Sequence, residues 1–130
     1  MTERERSAFA ELVEVCRRLR GPDGCPWDRD QTLESMTPYL TEEAIESGEA
    51  IASGNEEHIA EELGDLTFLA IFCLELLAEK GNVGLADSLE RAANKLIRRH
   101  PHVFGKVKVK SVQEIKANWD RIKSQEKAKR

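Results

Sequence analysis

Apolar side chains recur every three or four positions along most of this chain, which is the spacing of one face of an α-helix. The chain contains 8 glycines and 4 prolines, and four of these helix-breaking residues fall within residues 21–26. The other segments are long and almost free of breakers. The pattern therefore predicts an all-α protein built from four to five helices.

Capping residues indicate where these helices begin. Thr2 with Glu5, and Ser111 with Glu114, match the capping-box pattern, and Asn55 is placed to cap the helix that follows it. The predicted helices cover about residues 3–19, 38–53, 56–80, 87–100 and 112–124. The segments between them are expected to be a loop at 21–31, a short turn at 32–36, an irregular stretch at 101–110 and a frayed tail after residue 124.

Composition limits the class of protein. The chain has 130 residues, enough for a real core, and we expect a single domain over residues 1–130. With 40% hydrophobic and 34% charged residues it is too apolar for a disordered chain and too charged for a membrane protein. The net charge of −4 argues against a nucleic-acid partner. No secretory signal is visible and the 3 cysteines have no C-x-x-C spacing, so we expect reduced thiols in the cytoplasm.

Two groups of acidic residues carry the candidate chemistry. Glu42, Glu43 and Glu46 lie on the second predicted helix, and Glu62 and Asp65 lie on the third. Residues three apart share a helix face, so each group presents paired carboxylates. The acids on the third helix border its apolar stripe, where an unpaired carboxylate is costly. If the two helices are antiparallel neighbours, an all-oxygen site forms that suits a hard cation such as Mg²⁺.

Other interpretations of the acids stay open at this point. They could be ordinary solvated helix charges, or their burial could be relieved by protonation or by basic partners. A di-iron bundle would need Glu-x-x-His pairs, and the sequence has none.

The last two predicted helices carry basic and aromatic candidates. Lys95 and Arg99 share a helix face, as do Trp119 and Lys123. Cations of this kind can neutralise a polyphosphate, and a tryptophan can stack on a base. The alternative is that the two cations complement the helix C-terminus and that Trp119 is core. The core side of the fourth helix is expected at Leu89, Ala92, Ala93, Leu96 and Ile97.

Several segments, taken in order, resemble the MazG-type nucleoside triphosphate pyrophosphohydrolases. The acids match that family's E-E-x-x-E and E-x-x-D signature, and the resemblance covers about residues 12–123. The other matching segments are Cys25-Pro-Trp-Asp28, Gln31-Thr32, Pro38-Tyr39-Leu40, Glu62-Leu-Gly-Asp65-Leu66 and Lys95-Leu-Ile-Arg-Arg-His-Pro-His-Val-Phe104.

The resemblance implies an all-α fold that dimerises and Mg²⁺-dependent hydrolysis of a nucleoside triphosphate to monophosphate and pyrophosphate, with Mn²⁺ as a substitute ion. It implies metal ligands at Glu43, Glu46, Glu62 and Asp65, with Glu42 orienting water or a second ion. It also implies substrate contacts at Lys95, Arg99, Trp119 and Lys123. Narrower alternatives are a dUTP or phosphoribosyl-ATP pyrophosphohydrolase, and a further alternative is a helical interaction module without turnover.

Two structural expectations accompany this interpretation. The third predicted helix is apolar over most of its circumference from Leu63 to Leu77, which favours a homodimer that completes the helical bundle, with pairing into tetramers left open. The loop at 25–28 either closes over the nucleotide or forms a packing corner in which Trp27 is buried.

Overall fold

The computed structural model describes residues 1–129, which contain seven helices and no strand. The all-α prediction is therefore confirmed. The helices are α1 Glu3–Leu19, α2 Pro26–Asp30, α3 Leu33–Ser53, α4 Glu56–Ala78, α5 Leu85–Arg99, α6 Pro101–Phe104 and α7 Val112–Ala128. The number exceeds four to five because two short helices, α2 and α6, form in segments that were predicted to be irregular. Each begins at a proline, whose missing N–H costs nothing at a first helical position.

The caps explain both the correct and the wrong boundaries. Thr2 and Glu5 form the expected capping box, and Asn55 accepts a hydrogen bond from the His58 amide. The second long helix, however, begins at Leu33 instead of Pro38, because Thr32 and Ser35 form a capping box that the sequence analysis missed. Pro38 is accommodated inside α3.

The first of two compact units, Met1–Leu85, holds most of the buried side chains. In it α4 packs against α3 and α1. Cys16, fully buried, and Phe72, 1% exposed, are at its centre. The core cluster consists of Val13, Cys16, Met36, Ile71, Phe72 and Leu76. All three cysteines are free thiols.

The second unit begins at Ala86 and has little core of its own, with Ile122 as its buried hydrophobic residue. The predicted core side of α5 is wrong for the isolated chain, since Leu89, Leu96 and Ile97 are all more than 40% exposed. The helix α7 continues to Ala128, past the point where fraying was expected. Within residues 1–129, no helix has the length and apolar character needed to cross a bilayer. That residues 1–130 form one domain stays a prediction.

Candidate active site

The acids on α3 and α4 converge in the first unit. Glu43, Glu62 and Asp65 each offer a carboxylate oxygen, and these three oxygens lie within 4.8 Å of one another. We call these three residues the acidic cluster. Glu43 and Glu62 are half-buried, whereas Asp65 is exposed. The sequence-predicted neighbours Glu42 and Glu46 line the same cavity as Glu43 and Asp65.

The packing of α3 on α4 explains why the cluster forms. Buried Ser47 donates a hydrogen bond to the backbone carbonyl of Glu62 at 3.3 Å, which ties the two helices together beside the acids. Gly54, at a φ of 73°, ends α3 in the left-handed conformation that glycine adopts readily. Asn55 then caps the start of α4 directly after this turn. The acids of the two helices therefore meet at about the same height along the helix axes.

Two oxygens of the acidic cluster have no hydrogen-bond donor among residues 1–129. Oε1 of Glu43 and Oε2 of Glu62 are buried without a hydrogen bond from residues 1–129. The facing carboxyl of Glu62, burial, and the nearby Glu46 raise the pKa of Glu43 to about 8. Ionised carboxylates can only accept, so two of them face each other stably only if a proton or a cation lies between them. The oxygen-only donor set and the orphaned buried oxygens fit a hard divalent cation.

Aromatic side chains line the same cavity, whose volume is about 490 Å³. Trp27, on α2, and Tyr39, on α3, are in edge-to-face contact with ring centroids 5.5 Å apart. We call this pair the aromatic wall. Trp27 is 49% exposed, so the alternative in which it is buried in a packing corner is wrong.

Hydrogen bonds fix the short helix that carries Trp27. Arg20 donates to the carbonyls of Asp28 at 2.5 Å and Gln31 at 3.2 Å, and it also pairs with Glu79. The Gln31 side chain donates to the Trp27 carbonyl at 2.8 Å. Gly24 allows the tight turn before α2, because a Cβ there would lie 2.1 Å from the Leu19 carbonyl oxygen. The α2 backbone is therefore held in place although its tryptophan is exposed.

The second unit brings together a different set of candidates. The Arg99 guanidinium lies over the Trp119 ring, 5.1 Å from its centroid, and donates to Glu126 at 2.9 Å. Arg98 donates to the same carboxylate, and these two arginines hold the pKa of Glu126 below its usual value. Lys95 lines a cavity of about 490 Å³ with Arg98, Arg99 and Glu126, whereas Lys123 is exposed on α7.

Sequence reasoning missed the residues that hold these groups. Arg20 and Glu126 each act on a partner in another helix or loop, as Glu126 does 27 positions from Arg99. Periodicity within one helix cannot reveal such pairs. The run of two arginines at 98 and 99 was the one available signal that an acid would be needed nearby.

Comparison with known proteins connects this geometry to a family. The MazG nucleotide pyrophosphohydrolase domain matches residues 31–104, a span that contains all five acids. The chain is 44% identical to the nucleoside triphosphate pyrophosphohydrolase/pyrophosphatase MazG of Thermotoga maritima, over 94% of this chain and 46% of that protein. It is 38% identical to the nucleoside triphosphate pyrophosphohydrolase of Escherichia coli K12, over 92% of this chain and 46% of that protein.

A solved structure agrees with the sequence comparisons. The crystal structure of a mazG-related protein from Thermotoga maritima superposes with a TM-score of 0.74 at 26% identity, covering 88% of this chain and 98% of that one. The chain spans about half the length of the two curated relatives named above. With its acids converging within the matched segment, the chain belongs to the MazG nucleotide pyrophosphohydrolase family.

Proposed function

We propose that this protein hydrolyses nucleoside and deoxynucleoside triphosphates to the monophosphate and pyrophosphate in a Mg²⁺-dependent reaction. Family membership supports the reaction class. The observation that carries the proposal is the acidic cluster, where buried carboxylate oxygens converge without protein donors. We assign the physiological role to removal of unwanted nucleotides from the cytoplasmic pool.

The acids have distinct proposed roles. Glu43, Glu62 and Asp65, with Glu46 beside them, would hold Mg²⁺, and Mn²⁺ would substitute because it also accepts oxygen ligands. When bound, the ion supplies charge neutralisation of the triphosphate and a lowered pKa for a coordinated water. Glu42 is exposed on the same cavity and is proposed to orient the water that attacks the α-phosphorus.

Lys95, Arg99, Trp119 and Lys123 are proposed substrate contacts. Arg99 already pairs with Glu126, so a phosphate must share or displace that carboxylate to reach the guanidinium. Lys95 forms no ion pair within residues 1–129 and could meet a phosphate directly. The protein is further proposed to act as a homodimer, with no nucleic-acid or membrane partner.

The test is pyrophosphate release from the common ribo- and deoxyribonucleoside triphosphates, with and without Mg²⁺. We expect Glu46→Gln and Asp65→Asn to abolish release while the helical circular dichroism signal is retained. The matched control is Glu61→Gln, which removes an exposed α4 charge outside the acidic cluster and should leave release unchanged. Activity at the wild-type level in either Glu46→Gln or Asp65→Asn would contradict the assignment.

A further inference from the structure

The second unit is the basic part of this chain. It carries most of the 20 lysines and arginines and few of the 24 acidic residues, although the whole chain has a net charge of −4. Part of this positive charge surrounds a cavity of about 490 Å³ within the unit. Four cations and one acid line it, namely Lys95, Arg98, Arg99, Lys129 and Glu126. Such an excess of cations fits a ligand that carries several negative charges.

Glu126 is the anion that the protein itself supplies to this cavity. Arg98 donates to its Oε2 through Nε at 2.9 Å and also through Nη2, and Arg99 donates to its Oε1 through Nε at 2.9 Å. The Glu126 side chain is only 17% exposed. Two adjacent guanidinium groups repel each other, so an anion that bridges them stabilises the pair. A carboxylate and a phosphate both bind to the planar N–H fork of arginine, so each can take the place of the other.

The pairing with Glu126 leaves part of the positive charge unmatched. Glu126 brings one negative charge to a cavity with four cations, and Lys95 forms no ion pair in the described part of the chain. Arg99 uses only Nε toward Glu126, and its two terminal nitrogens donate no hydrogen bond to residues 1–129. A phosphate can therefore approach Arg99 at these terminal nitrogens and compete for the donors that Glu126 holds. A triphosphate chain carries more charge than one carboxylate and is the stronger ligand for this cavity.

We propose that Glu126 is an internal competitor for substrate phosphates: its carboxylate occupies the arginine donors until a polyphosphate chain displaces it. The proposal rests on the proposed function for the identity of that chain, which is the triphosphate of a nucleotide. Every anion that enters must break the same ion pairs, and this cost is fixed. A single phosphate gains too few contacts to offset it, whereas a triphosphate gains more. Glu126 thereby selects against weakly charged anions.

Binding of inorganic tripolyphosphate to the full chain, measured by titration calorimetry in the presence of a chelator, tests the proposal without catalysis. Glu126→Gln removes the competing charge. We expect it to tighten tripolyphosphate binding by about 10- to 100-fold, the worth of a charge-assisted hydrogen bond. Glu90→Gln is the matched control, because it removes an exposed α5 charge that does not line the cavity, and it should leave the affinity unchanged. Unchanged or weaker binding by Glu126→Gln would overturn the proposal, since Glu126 would then only hold the arginines in place.

Inorganic phosphate tests the selectivity in the same assay. We expect Glu126→Gln to bind inorganic phosphate at millimolar concentration and the wild-type protein not to bind it. Equal affinity of the two proteins for inorganic phosphate would overturn the proposal.

Side-chain NMR of the wild-type protein gives a result that does not depend on how the variant folds. The Nε–H signals of Arg98 and Arg99 report on Glu126, because both nitrogens donate to its carboxylate. We expect tripolyphosphate to shift both signals and sodium chloride at the same ionic strength to shift neither. An Arg98 signal that stays unchanged while tripolyphosphate binds would show that Glu126 is not displaced and would overturn the proposal. Failure of the proposed function is a separate result, because it appears as absence of pyrophosphate release from the wild-type protein with Mg²⁺.

Discussion

Glu43 is the residue at which a proton and a cation compete for the same oxygens. Its carboxyl faces Glu62 and Glu46, and in the absence of a cation these contacts favour the protonated form. Because the unfolded chain lacks these contacts, its Glu43 ionises at an ordinary carboxyl pKa. Raising the pH therefore favours unfolding through this group over the interval between the two pKa values.

The metal-free protein should lose stability as the pH rises from about 4.5 to about 8. The stabilisation that comes from the raised pKa is complete below the pKa of Glu43 in the unfolded chain. It is lost as the pH rises through the pKa of Glu43 in the folded chain. Glu43→Gln, which cannot ionise, should show a flatter dependence of melting temperature on pH in the presence of a chelator.

Glu61→Gln is the matched control and should keep the wild-type slope. Adding Mg²⁺ should restore stability most strongly near pH 8, where the ion no longer has to displace the proton. Parallel pH profiles for the wild type and Glu43→Gln would show that the carboxylates are solvated helix charges.

At the residue scale, the acids could be predicted because their partners lie on the same helix face at a spacing of three. That spacing is visible in the sequence, and the break at Gly54-Asn55 indicates that the two helices turn back on each other. Arg20 and Glu126 could not be found in this way. Their contacts depend on which helices become neighbours, which no local pattern specifies.

Among the elements, α5 and α7 are joined by charge and stacking more than by a core. Arg99 lies between the Trp119 ring and the Glu126 carboxylate, and its side chain is only 12% exposed. This position gives Arg99 a structural contribution through Trp119 and Glu126 on α7, whereas the sequence analysis considered one only at the C-terminus of its own helix. Lys95 is exposed and has no such contacts within residues 1–129.

Substitutions in α5 should separate binding from folding. Arg99→Ala should lower the melting temperature by a few degrees and also reduce kcat/KM by a factor on the order of ten to a thousand. Lys95→Ala should reduce kcat/KM without shifting the melting temperature. Steady-state pyrophosphate release and thermal melting of the same samples check both effects.

Glu126→Gln is the matched comparison for Arg99→Ala. It removes the negative charge that pairs with Arg99 and leaves the Arg99 guanidinium in place. We expect a lower melting temperature at neutral pH with turnover retained. Loss of turnover equal to that of Arg99→Ala would show that the ion pair itself, and not a free guanidinium, is required.

The helix boundaries and faces were also predictable only where the deciding signal is local in the sequence. The helix α1 was predicted at its observed bounds because its cap and apolar stripe both lie within it. The start of α3 was misplaced because Pro38 was taken as a first helical residue, although the capping box at Thr32 starts the helix earlier. The exposed side of α5 looked like core because an amphipathic pattern does not say what covers it.

For the whole molecule, the exposed apolar side chains of α5 predict a homodimer. Leu89, Leu96 and Ile97 are 41%, 47% and 46% exposed, and a surface of this kind usually marks an interface. We expect sedimentation at micromolar concentration to give a dimer and Leu96→Lys to shift it to monomer. Arg91→Glu, which changes an exposed α5 charge away from these residues, should stay dimeric. A wild-type monomer would contradict the prediction.

In the proposed reaction, water attacks the α-phosphorus of a nucleoside triphosphate at the acidic cluster. The most direct measurement is hydrolysis in ¹⁸O-labelled water with Mg²⁺, followed by mass spectrometry of the products. We expect nucleoside monophosphate carrying the label, unlabelled pyrophosphate, and no turnover by Asp65→Asn. Nucleoside diphosphate with labelled inorganic phosphate, or labelled products from Asp65→Asn at the wild-type rate, would contradict it.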